Sequence, residues 1–324
     1  MSYECRICGN KNENETYFVE EMYFGSRDTF EYFECSNCGC LQIKEYPANI
    51  AKYYPENYGA YNAKNLKRPN KITGYLRKKK LYYVLNEKWS LTGFLLNLII
   101  KPGFENKMLP GEVKSDSAIL DIGSGAGSLL LNLRNKGFNN ITGTDIFIKD
   151  DIIYDEHLRI LKKSIYEIEG QYDFIMLNHA LEHMPYQKEV MNNLHRLIKP
   201  GHTILIRIPV KTEFIWNRYK VNWGSLHAPN HYYLHTVKSM KILSEQTGFN
   251  LYKVMFDSGI YQFYSSEQFI KGIPLYSENS YHLNHSRGGF TLKEIRRFRK
   301  MTRELNNNGQ GDAACFFLKH LTAE

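Results

Sequence analysis

Short apolar runs alternate with stretches of helical spacing over the last two thirds of this chain. Runs at 118–122, 141–144, 158–161, 172–178, 203–208, 250–257 and 314–319 predict strands, and apolar residues three and four apart predict helices at 126–136, 187–198 and 236–247. Gly137 and Gly248 stand where left-handed helix caps belong, and Lys199-Pro200-Gly201 breaks the chain before the fifth strand. Strands and helices in alternation specify an α/β, doubly wound sheet. Nearer the start the period changes to two. Tyr17-Phe-Val and Phe30-Glu-Tyr-Phe-Glu predict a β-hairpin. Between these regions, 47–65 carries Tyr53-Tyr54-Pro55-Glu56-Asn57-Tyr58 and reads as a surface connection. Helical intervals then return at Leu76, Leu81, Val84 and Leu85, and again from Trp89 to Ile100. The divisions are therefore a front unit at 1–46, a linker and helical cover at 47–116, and an α/β body at 117–324 with insertions at 210–235 and 265–309.

Composition narrows the class. With 324 residues, 43% apolar and 23% charged, the chain can bury a sizeable core and is not grossly disordered. A net charge of +8 suits anionic substrates or an acidic membrane surface and selects neither. No apolar segment follows Met1-Ser-Tyr-Glu-Cys5, and Leu91 to Ile100 is half a bilayer span, so a cytoplasmic location is expected. Lys67, Arg68, Lys71, Arg77, Lys78, Lys79 and Lys80 precede the apolar run. The stretch 66–100 is thus a candidate for peripheral membrane contact, or for packing over the rim of a pocket.

The six cysteines fall largely into pairs. Cys5-Arg-Ile-Cys8-Gly9 and Cys35-Ser-Asn-Cys38-Gly39 are matched CxxCG knuckles with 26 residues between them. Two intervening residues let both thiolates of a pair reach one ion, and four thiolates in a tetrahedron suit zinc. So short a segment can scarcely bury enough to fold unaided, which makes structural Zn2+ on Cys5, Cys8, Cys35 and Cys38 the expectation. Glu13, Glu15, Glu20, Glu21, Glu31 and Glu34 make the unit acidic and argue against nucleic acid. Cys40 and Cys315 remain as spare thiols.

Ile119-Leu-Asp-Ile-Gly-Ser-Gly-Ala-Gly127 carries the chemistry of the body. An apolar strand runs into an acid and then three glycines at every second position, followed by Ser128-Leu-Leu-Leu-Asn-Leu with helical leucine spacing. Such a turn lets backbone lie against a nucleoside-like ligand at a helix N-terminus. Asp145 ends the next apolar run and is placed to hold ribose hydroxyls. The pattern is GxGxG, with Ser128 where a dinucleotide fingerprint needs its third glycine or alanine.

This stretch resembles motif I of class I S-adenosylmethionine-dependent methyltransferases. The strand order matches that fold, whose last two strands form an antiparallel hairpin; Tyr172-Asp-Phe-Ile-Met-Leu-Asn178 looks like its fourth strand, and Ile198-Lys-Pro-Gly201 resembles its KPG turn. The CxxC front end, Leu181-Glu-His183, Trp223 with His227-Ala-Pro-Asn-His231, and Gly311-Asp-Ala-Ala314 resemble a bacterial subgroup associated with surface-polysaccharide and deoxysugar pathways. The resemblance implies a Rossmann-like methyltransferase fold with a seven-stranded sheet and a small N-terminal zinc-binding hairpin domain. It implies S-adenosylmethionine as cofactor. Asp121 would lie near its ammonium, Gly123, Ser124, Gly125 and Gly127 along its methionine moiety, Asp145 at its ribose, and Ile146 and Phe147 beside its adenine, with Asn178 at the strand end. Ser164 stands where an acid or amide often meets the adenine.

Asn178-His179-Ala-Leu-Glu182-His183 follows the fourth strand, where ligands bind beyond the carboxyl ends of a parallel sheet. Read literally, HxxEH is a zinc-protease string, but the helix and distant third ligand that chemistry needs are missing. Methyl transfer to a hydroxyl needs a positioned acceptor and a base, so His179, His183 and His231 are candidate bases, with Glu182 as orienter or second base. The insertion at 210–235, with Trp216, Trp223, His227 and His231, is expected to shape an acceptor site, Trp223 stacking on a sugar or anchoring the loop. Arg287, Arg296, Arg297, Arg299 and Arg303 are either a solvated helix face or a pyrophosphate clamp. The expected activity is O-methylation of a sugar or other small polar intermediate of surface-glycan assembly, free or linked to nucleotide or lipid. Sugar C-methylation and RNA methylation are the alternatives, and the oligomeric state is open.

Overall fold

The computed structural model describes residues 3–54, 70–100, 107–286 and 288–321. Three short antiparallel strands come first: β1 (Glu15–Glu20), β2 (Thr29–Glu34) and β3 (Leu41–Ile43). Period-two patterning turns Val19 inward and leaves Phe18 exposed. Helices α1 (Lys71–Val84) and α2 (Leu91–Ile99) follow, capped by Asn70 and Ser90, whose side chains accept from the Thr73 and Gly93 N–H groups. The body then runs through β4 (Ile119–Ile122), α3 (Ser128–Lys136), β5 (Ile141–Thr144), β6 (Ile152–Asp155), β7 (Leu158–Leu161), β8 (Tyr172–Asn178), α4 (Gln187–Leu197), β9 (Ile198–Pro209), α5 (Glu213–Tyr219) and β10 (Tyr233–Leu234). It ends with α6 (Val237–Gln246), β11 (Phe249–Phe256), α7 (Tyr261–Ile270), α8 (Leu292–Asn307) and β12 (Ala313–His320).

The main sheet has the order β11-β12-β9-β8-β4-β5-β7-β6. Strands β7, β5, β4, β8 and β9 are parallel neighbours, and β12 inserts antiparallel between β9 and β11. The strand β4 sits centrally, with Leu120 opposite Thr142 on one side and Ile175 on the other. Being covered on both faces, it reads as an unbroken buried run.

Three features depart from the sequence expectation. The sheet has eight strands rather than seven, because Ile152–Asp155 pairs antiparallel with β7 at the edge. An edge strand buries too little to look apolar, and Ile153 is exposed. Asp155 itself pairs with Arg134 at 3.0 Å. Second, Lys199-Pro200-Gly201 does not precede the fifth strand but lies inside β9, as an irregularity where the register to β8 jumps. Third, the segment around Tyr53 is not a surface connection. Tyr53 is buried, and its carbonyl accepts from the Asn230 side chain at 3.0 Å. Residues 55–69 and 101–106, including Lys67 and Arg68, lie outside the described residues, as does Arg287.

The small sheet has the order β1-β2-β3-β10, so its fourth strand comes from the insertion at 210–235. One continuous apolar core joins Cys5, Ile7, Tyr32 and Leu41 of the front unit to Ile206, Trp223 and Phe316 of the body. A second core, beneath the other face of the sheet, joins Leu81 of α1 and Leu85, just past its end, to Leu130 and Leu133 of α3.

Candidate active site

The turn between β4 and α3 follows from three glycines in the left-handed region, with φ of 75° at Gly123, 55° at Gly125 and 77° at Gly127. Two of them answer to protein packing as well as to any ligand. A Cβ on Gly123 would lie 2.6 Å from the Ala180 Cβ, and one on Gly127 would lie 2.5 Å from Ile160 Cδ1. Gly143, on the neighbouring strand, is required too, since a Cβ there would meet Ser124 Oγ at 2.5 Å. That requirement was invisible in a four-residue apolar run.

Two carboxylates converge on this turn. Asp145 accepts the Gly125 N–H at 2.9 Å through one oxygen and the Phe147 N–H at 2.8 Å through the other. Its pKa is nevertheless raised, because burial outweighs those two donors. Asp121 is buried with Oδ1 unpartnered among the described residues. Burial, with Asp145 nearby, pushes it up to about 8. Ile146 and Phe147 are exposed beside Asp145, and the Tyr54 ring stacks on Phe147 at 5.3 Å. Ser164 is engaged locally instead, bonding Glu167 in a capping box.

Beyond β8 the chain enters a single turn at Leu181–His183, and this brings the proposed bases together. His183 Nδ1 lies 2.9 Å from both the Asn230 carbonyl oxygen and the Tyr54 hydroxyl. A carbonyl only accepts, so Nδ1 carries the proton and Nε2 keeps a bare lone pair. Burial lowers the His183 pKa, with Glu182 opposing. His231 repeats the arrangement, its Nδ1 2.8 Å from the Ser225 carbonyl, and burial pushes it well below its ordinary range. The rings of His183 and His231 are 4.6 Å apart, and His227, stacked on Tyr23, joins them.

His179 is placed differently. It is exposed, sits at φ 54°, and receives Arg207 Nη1 on Nε2 at 2.5 Å while its Nδ1 faces Glu182 Oε1 at 3.3 Å. Both ring nitrogens are therefore occupied. Arg207 is in turn held by Asp257 at 2.6 Å and by Asn178 Oδ1 at 3.2 Å, which makes Asn178 a partner of the arginine. Glu182, His183 and His231 offer ligand atoms within 4.8 Å of one another, and Glu182 Oε2 is buried without a partner among the described residues, so this group could accept a cation or a proton. The HxxEH string forms no zinc-protease helix.

The insertion is anchored, not open. Trp223 is fully buried, donating its indole N–H to Asp312 at 3.0 Å, and Ser225 donates to the same oxygen at 2.7 Å. Trp223 therefore stacks on no sugar. Arg296, Arg297, Arg299 and Arg303 lie on the exposed side of α8.

At the front, Cys5 Sγ is 3.6 Å from Cys38 Sγ, and Cys8 Sγ is 3.5 Å from Cys35 Sγ. Four sulfurs around zinc would stand about 3.8 Å apart. Gly9 and Gly39, both at positive φ, donate to the Cys5 and Cys35 carbonyls at 2.8 Å and close the two turns. The neighbouring Cys38 thiol, the Cys8 and Ile7 N–H groups and the Gln42 amide, which donates to Cys5 Sγ at 3.0 Å, together hold the Cys5 thiol below its ordinary pKa and favour its thiolate. The cluster is compatible with zinc. Cys40 is buried beside it, 4.0 Å from His235, and Cys315 packs in β12 against Met108.

Residues 104–254 match the family model of a methyltransferase domain. Over 101 residues the chain is 36% identical to the ubiquinone biosynthesis O-methyltransferase of Rickettsia bellii, covering 28% of this chain and 42% of that one. Over 99 residues it is 28% identical to the protein of the same name from Pseudomonas aeruginosa, covering 27% and 42%. The chain thus spans about two fifths of the length of these curated relatives. Among solved structures it is similar to the 1,6-didemethyltoxoflavin-N1-methyltransferase of Burkholderia thailandensis, at 11% identity and a TM-score of 0.43 over 89% of this chain and 97% of that one. It is also similar to an S-adenosylmethionine-dependent methyltransferase of Mesorhizobium loti, at 15% identity and a TM-score of 0.42 over 66% and 94%. The matched residues are similar to a methyltransferase domain and have a Rossmann-like fold, beside a small sheet and a four-cysteine cluster.

Proposed function

We propose that this chain is an S-adenosylmethionine-dependent methyltransferase acting on an oxygen of a small polar acceptor, a sugar or another intermediate of bacterial surface-glycan assembly, free or linked to nucleotide or lipid. One observation carries the reading: two buried carboxylates converge on the glycine turn, and Tyr54 joins that turn to the histidines, its ring stacked on Phe147 at 5.3 Å and its hydroxyl 2.9 Å from His183 Nδ1.

The residues fit the cofactor. A buried carboxylate oxygen without a partner among the described residues, as Asp121 Oδ1 is, is relieved by a cation such as the methionyl ammonium. Asp145 keeps lone pairs for ribose hydroxyls after taking two N–H groups. Ile146 and Phe147 offer exposed apolar faces to the adenine. When bound, the cofactor supplies an electrophilic methyl group. The chain's own work is to hold the acceptor hydroxyl and receive its proton on His183 Nε2, the lone pair left bare by the Asn230 carbonyl. Glu182 then lies against the charged imidazole, and the His231 ring braces it. His179, tied to Arg207, positions the end of β8.

The O-methyltransferase names of the partial relatives and the neutral imidazole favour oxygen. The glycan assignment rests on the likeness of Leu181-Glu-His183, His227-Ala-Pro-Asn-His231 and the cysteine front end to the polysaccharide-associated subgroup. We assign the four-cysteine cluster to structural Zn2+ and expect no nucleic-acid partner, given the acidic front unit. Carbon methylation of a keto-deoxysugar is the second reading, because the same His183 could take a proton from carbon beside a ketone.

The test is incubation with labelled S-adenosylmethionine and a panel of nucleotide sugars in heavy water. A product heavier by one methyl group, with no deuterium on the acceptor carbon, supports oxygen; deuterium there assigns carbon. Absence of S-adenosylhomocysteine binding by calorimetry would overturn the reading altogether.

A further inference from the structure

Helix α2 turns an apolar stripe to solvent. Leu91, Phe94, Leu95, Leu98 and Ile99 recur at the spacing by which a helix buries one face. Here that face is open, with Leu91 60%, Leu98 67% and Ile99 78% exposed. Trp89, 74% exposed, precedes the stripe. The helix already uses its other side. At Gly93 it approaches α1 so closely that a Cβ would lie 2.7 Å from the Lys79 carbonyl oxygen and 2.8 Å from Tyr83 Cβ. Single exposed leucines are ordinary, but a contiguous stripe marks an interaction surface.

Charge narrows the occupant. Within 71–100 stand six cationic side chains against one acid, Glu87; Lys80 is buried, which leaves Lys71, Arg77, Lys78, Lys79 and Lys88 to face outward. That acid is engaged by the backbone N–H and hydroxyl of Ser115. A second copy of this chain would set the same cations against themselves. An anionic bilayer surface matches both features, taking apolar side chains below its headgroups and cations among its phosphates. Among the described residues no helix is long and apolar enough to cross a membrane, so α2 would lie in the interface plane.

We propose that the α1–α2 hairpin docks this protein on anionic lipid bilayers, α2 embedding its Leu91–Ile99 stripe at headgroup depth. The docking does not depend on the methyl-transfer reading.

The experiment is co-sedimentation of the full chain with vesicles of phosphatidylcholine alone, or with about one third phosphatidylglycerol. Binding is expected to be at least about tenfold tighter on the anionic vesicles and to weaken with added salt. The variant L95E/L98E/I99E, altered only at surface positions of α2, should lose about tenfold or more in binding while keeping its circular dichroism and melting temperature. The variant R77E/K78E should lose the preference for anionic lipid. Failure to sediment with anionic vesicles, or equal binding by L95E/L98E/I99E, would overturn the proposal. So would a wild-type dimer in analytical ultracentrifugation that this variant renders monomeric, because the stripe would then belong to a second copy.

Discussion

The Tyr32 hydroxyl, on β2 of the small sheet, donates to the carbonyl oxygen of His231 at 2.9 Å. This bond ties the cysteine-bearing unit to the loop that carries the candidate histidines. Three more reinforce it. The Ile43 N–H donates to the Tyr232 carbonyl at 3.0 Å, the Tyr232 N–H to the Glu182 carbonyl at 2.8 Å, and the Thr236 hydroxyl to the Cys38 carbonyl at 2.6 Å. A path of hydrogen bonds therefore runs from the cysteine cluster to Glu182.

Removing the zinc proposed for the cysteine cluster should accordingly damage catalysis as well as stability. One zinc per chain is expected by elemental analysis. Cys35→Ser, or chelation, should lower the melting temperature and depress kcat/KM together. Tyr32→Phe should keep the metal and lose about 1–3 kcal/mol, since a buried carbonyl is left without its donor. Full activity in metal-free protein would refute the link. A second metal equivalent, lost in Glu182→Gln, would place a cation on Glu182, His183 and His231.

Asp121 makes ligand binding a proton-linked event. Its folded pKa is raised from 3.8 to about 8, so the folded chain holds a proton that the unfolded chain releases. The contribution to stability is complete below pH 3.8 and is lost as pH rises through about 8. A cationic ligand should ionise the acid. Binding of S-adenosylhomocysteine at pH 7 should then release close to one proton, read as a dependence of the calorimetric enthalpy on buffer. Asp121→Asn should stabilise the free protein at pH 8, weaken the ligand about tenfold or more, and abolish the proton release. A buffer-independent enthalpy in the wild type would contradict this.

His183 should set the acid side of the pH profile. Its pKa is lowered from 6.5 by burial, so the imidazole stays neutral at physiological pH and kcat should fall only at pH below 6.5. His183→Ala should reduce kcat by ~10²–10⁴ while leaving S-adenosylhomocysteine affinity unchanged. An unaltered kcat would remove His183 from the mechanism and turn attention to His231.

Gly123 and Ala180 form a separable pair. Gly123→Ala should destabilise by about 1–2 kcal/mol for its left-handed backbone, with an added loss from the contact at 2.6 Å. Adding Ala180→Gly should recover the contact part and leave the backbone part. Denaturant melts of the two single variants and the double would show it. Simple additivity would mean the turn shifts to relieve the clash.

Motif I and its surroundings were legible because their logic is local. Strand, glycine turn, helix and Asp145 follow one another within 27 residues, from Ile119 to Asp145, and each step leaves its own mark: an apolar run, positive-φ glycines, leucine spacing, a second acid. The paired CxxCG turns were legible for the same reason. Arg207 was not. It lies within the apolar run of β9 and looks like a lapse in a buried strand, until β12 and β11 bring Asp257 beside it from 50 positions away. Tyr54 sat in what read as linker, and Trp223 read either as a stacking platform or as a loop anchor, a choice that only Asp312, 89 positions away, decides.

The amino-acid order alone thus determined the strongly periodic strands and helices of the body, the glycine turn after β4 and the two CxxCG turns, since backbone propensity and periodicity are written along the chain. Only the tertiary structure decided that His183 and His231 each spend Nδ1 on a backbone carbonyl, that His179 is tied up by Arg207, and that the front unit borrows β10 and grips the histidine loop. Those outcomes depend on burial and on hydrogen bonds between distant segments, and a separation in space leaves no trace in one-dimensional spacing.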